Sequence, residues 1–188
     1  MPVTQVGIAN SALTKIGADR ISSITENVKA ARLANELWSK VRDEVLRAHP
    51  WNFAIKRSTL TPNSTTPDSE YDYTYDLPSD LLKVLSTPED LKLDFVVEGR
   101  TILTDEPEEL PIRYIYRNED YSSWDSYFAE AFAWRLAAEM AYNLTQSLPL
   151  AQWADQMYKD TIAQARSADG SEGKIKVLIG DDWLLSRR

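Results

Sequence analysis

The sequence predicts a mainly α protein with a β-rich insertion, an α+β chain in which an interrupted four-helix bundle carries a small antiparallel sheet and an extended C-terminal tail. Three observations predict it. Apolar residues recur at helical spacing toward both ends of the 188-residue chain. The spacing falls to two in the middle, and Pro50 marks the change. On this reading residues 1–50 and 120–169 form the bundle, 51–119 the inserted module, and 170–188 a docking tail. A chain of this length suits one domain with a sizeable core.

The first helix is expected over 4–16, where Val6, Ala9, Leu13 and Ile16 share one face, and Gly17 stands where a helix end favours a left-handed residue. Ser23-Ile24-Thr25-Glu26 has the form of a capping box and predicts the start of a second, long helix. Its stripe is Ala30, Ala34, Leu37, Val41 and Val45, widened by Ala31, Trp38 and Leu46. Pro50 ends it, because proline lacks the amide hydrogen and pushes His49 out of helical geometry.

Beyond Pro50, Trp51 and Phe53 alternate with Asn52 and Ala54, and the run 71–77 alternates cleanly, so both predict strands. The Pro-, Ser- and Thr-rich stretch 61–70 between them reads as an exposed loop joining two antiparallel neighbours. Further strands are expected at 93–97, at 101–103 after the turn Glu98-Gly99-Arg100, and at 112–116 after Pro111.

Helical spacing returns from Ser123, with Tyr127, Phe128, Ala131, Phe132, Leu136, Met140 and Leu144 on one broad face. Ser147 and Pro149 open a fourth helix marked by Leu150, Trp153, Ala154, Met157, Ile162 and Ala165, which Gly170 is expected to end. The remainder holds an apolar cluster with no sustained period: Ile175, Val177, Leu178, Ile179, Trp183, Leu184 and Leu185. It reads as a tail that docks on something.

Composition narrows the chemistry. No apolar run approaches a membrane-spanning length, mean hydropathy is −0.41, and the first residues lack the features of a signal peptide, so neither membrane insertion nor export is expected. Zero cysteines exclude disulfides, thiolate metal sites and cysteine nucleophiles. His49 is the one histidine. It cannot build a multi-histidine metal site, and its place at the end of a long helix, beside free carbonyls, accounts for it structurally. The six glycines are scattered, and Gly170-Ser171-Glu172-Gly173-Lys174 lacks the spacing of a phosphate loop. No catalytic residue, cofactor or metal is expected, and the chain is not expected to be an enzyme.

The net charge of −8 argues against tight nucleic-acid binding, which needs clustered cations. Ten acidic residues against four basic ones lie between positions 89 and 120, a local balance of −6. A solvated acidic face is the plain reading. Six tryptophans are spread over all elements. Some exceed what a small core hides, which points to an oligomer interface.

Several segments, in order, resemble one family: Asn10-Ser11-Ala12-Leu13-Thr14-Lys15-Ile16-Gly17-Ala18, then Ile21-Ser22-Ser23-Ile24, then Ala48-His49-Pro50-Trp51-Asn52-Phe53-Ala54. Tyr73-Thr74-Tyr75-Asp76-Leu77-Pro78, the Glu98-Gly99-Arg100 turn with Ile102-Leu103-Thr104-Asp105, Arg113-Tyr114-Ile115 and the stretch 128–141 continue the series. Over about 3–168 the chain resembles the tail tubular protein A family, the head-to-tail connector adaptors of short-tailed phages. The weight lies in the combination and order of these fragments.

The resemblance implies a virion protein, present in the host cytoplasm before assembly. It implies a homo-oligomeric ring, usually dodecameric and possible to hold as a monomer when free, seated on the portal protein and carrying the tail nozzle protein. Genomic DNA would pass through its centre without specific binding. Ile175, Val177, Leu178, Ile179, Trp183, Leu184 and Leu185 are then expected to dock on the portal, and Glu106, Glu108 and Glu109 are candidates for an acidic lumen that repels phosphate. The competing expectations are a tail-associated peptidoglycan hydrolase using carboxylates between 89 and 120, and an interaction module unrelated to phage.

Overall fold

The computed structural model describes residues 3–64, 70–86, 94–105 and 108–172. Among them the chain runs α1 (Gln5–Lys15), α2 (Lys29–Arg47), β1 (Ile55–Leu60), β2 (Tyr73–Asp76), β3 (Leu81–Ser86), β4 (Phe95–Glu98), β5 (Thr101–Thr104), β6 (Leu110–Tyr116), α3 (Ser126–Thr145) and α4 (Leu148–Ser171). The four helices with an inserted β region match the fold class that the periodicity predicts. The insertion differs in one respect: it holds two three-stranded antiparallel sheets, ordered β1-β6-β3 and β2-β5-β4, where a single sheet is expected.

Thr4 caps α1 by accepting a hydrogen bond from the Gly7 amide at 3.1 Å. Its far end is a Schellman turn. Gly17 has φ of +68°, its N–H donates to Thr14 O, and the Ala18 N–H reaches Leu13 O. Asn10 then fixes the return of the chain, donating to Ile21 O at 2.9 Å and accepting from the Ile21 N–H at 2.8 Å.

The 23–26 segment does not start α2. Glu26 instead accepts from the Ser22 amide and hydroxyl, at 2.7 and 2.8 Å, and closes a turn ahead of the helix. Those bonds hold its carboxyl below the ordinary value, the Ser22 amide contributing most. The helix begins at Lys29 after Val28, which makes no side-chain cap. At its other end Pro50 stops it as expected.

The third helix is the centre of the bundle. α3 packs against α1, α2 and α4, and its Ala131, Ala133, Ala137 and Ala141 are buried, which lets the neighbouring backbones come close. Phe128 and Phe132 are fully buried in an aromatic group with Trp38, Trp51, Phe53 and Trp124, ring centres 4.8 to 6.5 Å apart. Burying each such ring contributes about 1.5–3 kcal/mol. Asp125 caps α3 and Ser147 caps α4. Gly170 does not end α4, which continues to Ser171. Its φ is not in the left-handed region, so the glycine is simply part of the last turn.

The strand expected at 51–54 is a short 3-10 turn, Asn52–Ala54. Side-chain anchors account for the difference: the Trp51 indole N–H donates to Val45 O at 3.0 Å, and the Asn52 amide donates to the Asp169 carboxylate at 2.9 Å. The loop 61–70 does not join sheet neighbours. β1 pairs with β6 and β2 with β5, and a lone backbone bond among the described residues, Asn63 N–H to Thr74 O at 2.8 Å, links the two strands that the loop connects.

Two strands escape the alternation rule. β1 shows exposed Lys56, Arg57 and Thr59 with only Leu60 buried, so its apolar signal is weak. β3 has register shifts at Leu81/Lys83 and Val84/Ser86, which break the period. They also let Leu82 join the bundle core while Leu81 joins the other. The central strand β6 does the same without bulges: Ile115 belongs to the bundle core, and Tyr114 to the core between the sheets. Pro111 lies opposite Thr59 of β1, beyond Arg113, the last β6 residue that β3 pairs with among the described residues.

Replacing Asn10 by Ala strands the Ile21 N–H and C=O in a buried site. The expected loss is roughly 2–4 kcal/mol of unfolding free energy, read by denaturant titration. A loss under about 0.5 kcal/mol, the range of ordinary surface changes, would show that the loop after α1 is held otherwise.

Candidate functional site

Two joints fix the inserted module to the bundle. At the first, the side chain of Asp169, near the end of α4, is 8% exposed and accepts from the Asn52 amide and from His49 Nε2 at 2.9 and 3.0 Å. The Asn52 side chain donates back to Asp169 O at 2.9 Å, and Arg166 donates to the free Ala48 carbonyl at 3.1 Å. His49 thus has a carboxylate partner that its sequence neighbourhood does not announce.

The second joint is ionic. Asp43 on α2 receives the Arg117 guanidinium through both oxygens, at 2.9 to 3.2 Å, and Arg42 at 2.9 Å. Arg42 in turn donates to Glu119 at 2.6 Å. The hydrogen bond and charge of Asp43 raise the Arg117 pKa above its ordinary value. Nearby, burial opposes ionisation of Asp80, but the Lys56 ammonium at 2.8 Å and the Tyr114 hydroxyl at 3.2 Å outweigh it and hold the carboxyl low. Burial, then the Asp80 charge and hydrogen bond, push Tyr114 up to about 12.

Beside the second joint lies a cleft of about 680 Å³, walled by the last turns of α2, by β3 and by the β4–β5 turn. Its charged lining is Arg47, Lys83, Arg100 and Arg117 against Asp43, four cations to one carboxylate. Arg117 is consumed by Asp43. Arg47 donates to Leu82 O at 2.6 Å, and Arg100 to the carbonyls of Leu77, Pro78 and Leu81. Among the described residues no carboxylate pairs with Arg47, Lys83 or Arg100. Gly99 supports this wall because its φ of +56° suits the tight turn that aims Arg100.

The opposite end of the module is acidic. Tyr73 and Phe95 both face Thr104 across their ladders, so the residues just beyond, Asp72, Asp94 and Asp105, stand in a row across one end of the sheet. The Asp105 carboxylate accepts the Asp72 amide at 3.1 Å. Glu70, Glu108 and Glu109 are exposed beside them in sequence, and the Tyr75 hydroxyl holds Glu108 O at 2.7 Å. Tyr71 feels this field: burial first, then Asp94, Glu70 and Asp105, raise its pKa.

Of the expected site residues, Glu108 and Glu109 are exposed. Glu106 and the tail residues Ile175, Val177, Leu178, Ile179, Trp183, Leu184 and Leu185 lie outside the described residues. Trp38, Trp51, Trp124 and Trp134 are core residues, whereas Trp153 is 48% exposed and meets Trp134 edge-on at 5.1 Å. Tyr127, Tyr142 and Leu148 are exposed too. Among the described residues there is no cluster of metal-ligating side chains and no helix long and apolar enough to cross a membrane. No protein-family model matches the chain, and no curated protein matches it.

The basic cleft and the row of aspartates were not legible as sites in the sequence. Only the Glu98-Gly99-Arg100 turn carried a local signal. The cleft gathers cations from positions 47 to 117, and only the fold makes them neighbours.

Asp169→Ala removes the acceptor of the part-buried Asn52 amide and is expected to cost about 1–2 kcal/mol, with faster hydrogen exchange in the last turn of α4. His49→Ala spares the amide bond and should cost less. Equal losses would mean that the histidine contact dominates the joint.

Tyr114 keeps its proton in the folded state after the unfolded chain has lost it. Its contribution is therefore complete below its ordinary value of 10.0 and is lost as pH rises toward about 12. Denaturant midpoints across that window should fall more gently in Tyr114→Phe than in the native chain. An identical slope would count against this assignment.

Proposed function

We propose that this chain is a structural head-to-tail adaptor of a tailed phage, a subunit of a ring between portal and tail nozzle through which genomic DNA passes. The observation that carries this reading is where the family-like segments fall. Ala48-His49-Pro50-Trp51-Asn52-Phe53-Ala54 forms the first joint, with Trp51 and Asn52 anchored to Val45 and Asp169. The 10–18 segment, followed by Ile21, forms the Schellman turn and the Asn10 clasp. The Glu98-Gly99-Arg100 turn ties the two sheets through the Arg100 bonds to Leu77 and Leu81.

Of the segments that carry the resemblance, 48–54 sets how bundle and module meet, 10–21 closes the loop after α1, and 98–100 ties the two sheets to each other. A resemblance in such residues bears on architecture, because each makes a contact distant in sequence. The partly exposed Trp153, Tyr127 and Tyr142 supply rigid apolar area of the kind that subunit contacts use, and the net charge of −8 suits the wall of a channel that must not grip phosphate. The mechanism is geometric and requires no bond-making step. Residues 175–185 are the segment proposed to fasten the ring to the portal.

Light scattering of the chain alone and mixed with the portal protein of the same genome tests this. A large stoichiometric complex is expected, whether the free chain is a monomer or not, and no complex at high concentration would overturn the adaptor reading. A chain ending at Glu172 keeps the Asp169 joint and should lose portal capture. Undiminished capture would remove the tail from the proposal.

A further inference from the structure

The inserted module has a cationic cleft at one end and an acidic row at the other, and one copy cannot bring cleft and row together. Asp76 and Glu98 also stand at the cleft end of the second sheet. Lys83 lies level with Ile115 on β6, and Glu109 immediately precedes the other end of that strand. Six residues of strand at about 3.3 Å each separate them by roughly 20 Å. The aspartate row and Arg100 likewise sit at opposite ends of β5.

Among the described residues neither end finds a partner of opposite charge for these groups. Asp72, Asp94 and Asp105 are aligned like charges on neighbouring strands, an arrangement that destabilises a sheet unless opposite charge covers it. Arg47 and Arg100 are held rigidly by carbonyls, with no carboxylate among the described residues to neutralise them, and Lys83 is exposed at the cleft's edge. The cleft is open, preformed and cationic in a chain whose net charge is −8.

The geometry points to a head-to-tail contact between copies of this chain, in which the acidic end of one inserted module enters the basic cleft of the next. Because donor and acceptor surfaces differ, the contact is heterologous and propagates, closing into a ring if the rotation per step permits and into a filament if it does not. It rests on the adaptor reading only for that closure. It also turns Glu108 and Glu109 toward a neighbouring copy and leaves the acidity of any channel to other carboxylates. Nucleic-acid phosphate is the other anion that would suit such a cleft. The acidic end favours the second copy, since it supplies the complementary surface on the same molecule.

The absence of native cysteine makes a crosslinking test direct. In the full chain carrying Lys83→Cys and Glu109→Cys, neither position loses a partner seen in the fold. A bismaleimide much shorter than the separation within one chain is added to concentrated protein at low salt, and again in the presence of the portal. A ladder of covalent oligomers is expected, with either single variant giving at most dimers. The ladder should weaken in a further Glu108→Lys variant and as salt approaches 1 M, where the screening length is about 3 Å. Portal capture without a ladder would overturn this contact and leave the adaptor reading standing. A ladder without portal capture would do the reverse. Binding of a labelled oligonucleotide that Lys83→Glu abolishes, with no ladder, would assign the cleft to phosphate and overturn the contact as well.

Discussion

A chain that leaves a helical bundle at Pro50 and returns to it near Asp120 is held by polar contacts at both crossings, which add direction to the apolar packing of Leu82 and Ile115 into the bundle core. Asp169 holds the first crossing. Its carboxylate accepts the Asn52 amide and faces His49, while its own carbonyl receives the Asn52 side chain. These bonds tie the end of α2 to the last turn of α4, elements more than a hundred residues apart. Asp169 is the buried member of this joint, so losing its partners leaves a carboxylate shielded from water, and that asymmetry ties orientation to the contact. The second crossing uses the shared Asp43, which receives both Arg42 and Arg117.

With both crossings fixed, β6 carries the rest. It lies between β1 and β3, and its two faces serve different cores, Ile115 toward the helices and Tyr114 toward the second sheet. The layers therefore run helices, first sheet, second sheet, and the position of the β4–β5 turn relative to α2 follows from that stacking. The cationic cleft is a consequence of this order. Arg47 belongs to the bundle, Lys83 to the first sheet and Arg100 to the second, so any slip in β6 register would disperse them.

Much of this was legible in the sequence, and the failures have physical causes. α1, α3 and α4 follow from their stripes and caps, and Gly17 ends α1 in the conformation expected of it. The capping box misled because Glu26 found the Ser22 amide, a closer partner than a helix start. The strand at 51–54 failed because Trp51 and Asn52 bond outside any ladder. β1 and β3 were hidden by exposed cations and by bulges. What no local pattern conveys is adjacency at long range: the partner of His49 lies 120 residues away, and the cleft's cations come from three separate layers. Glu108 and Glu109 were legible as acidic and exposed, but not as neighbours of an aspartate row.

The charge distribution also bears on when copies would associate. A net charge of −8 makes two free chains repel at long range, but the repulsion decays over a screening length of about 8 Å at physiological salt. Complementary ends act at closer quarters than that. Repulsion therefore opposes encounter more than it opposes the contact once made, and ordering the exposed side chains at the contact adds a further entropic cost. A surface that holds several copies at the right spacing removes the encounter cost without altering the contact. Net acidity and a polar, self-complementary module are compatible for this reason. On the proposed contact between copies, they would favour a subunit that stays dispersed until a template collects it, with the module's two ends already formed in the single chain.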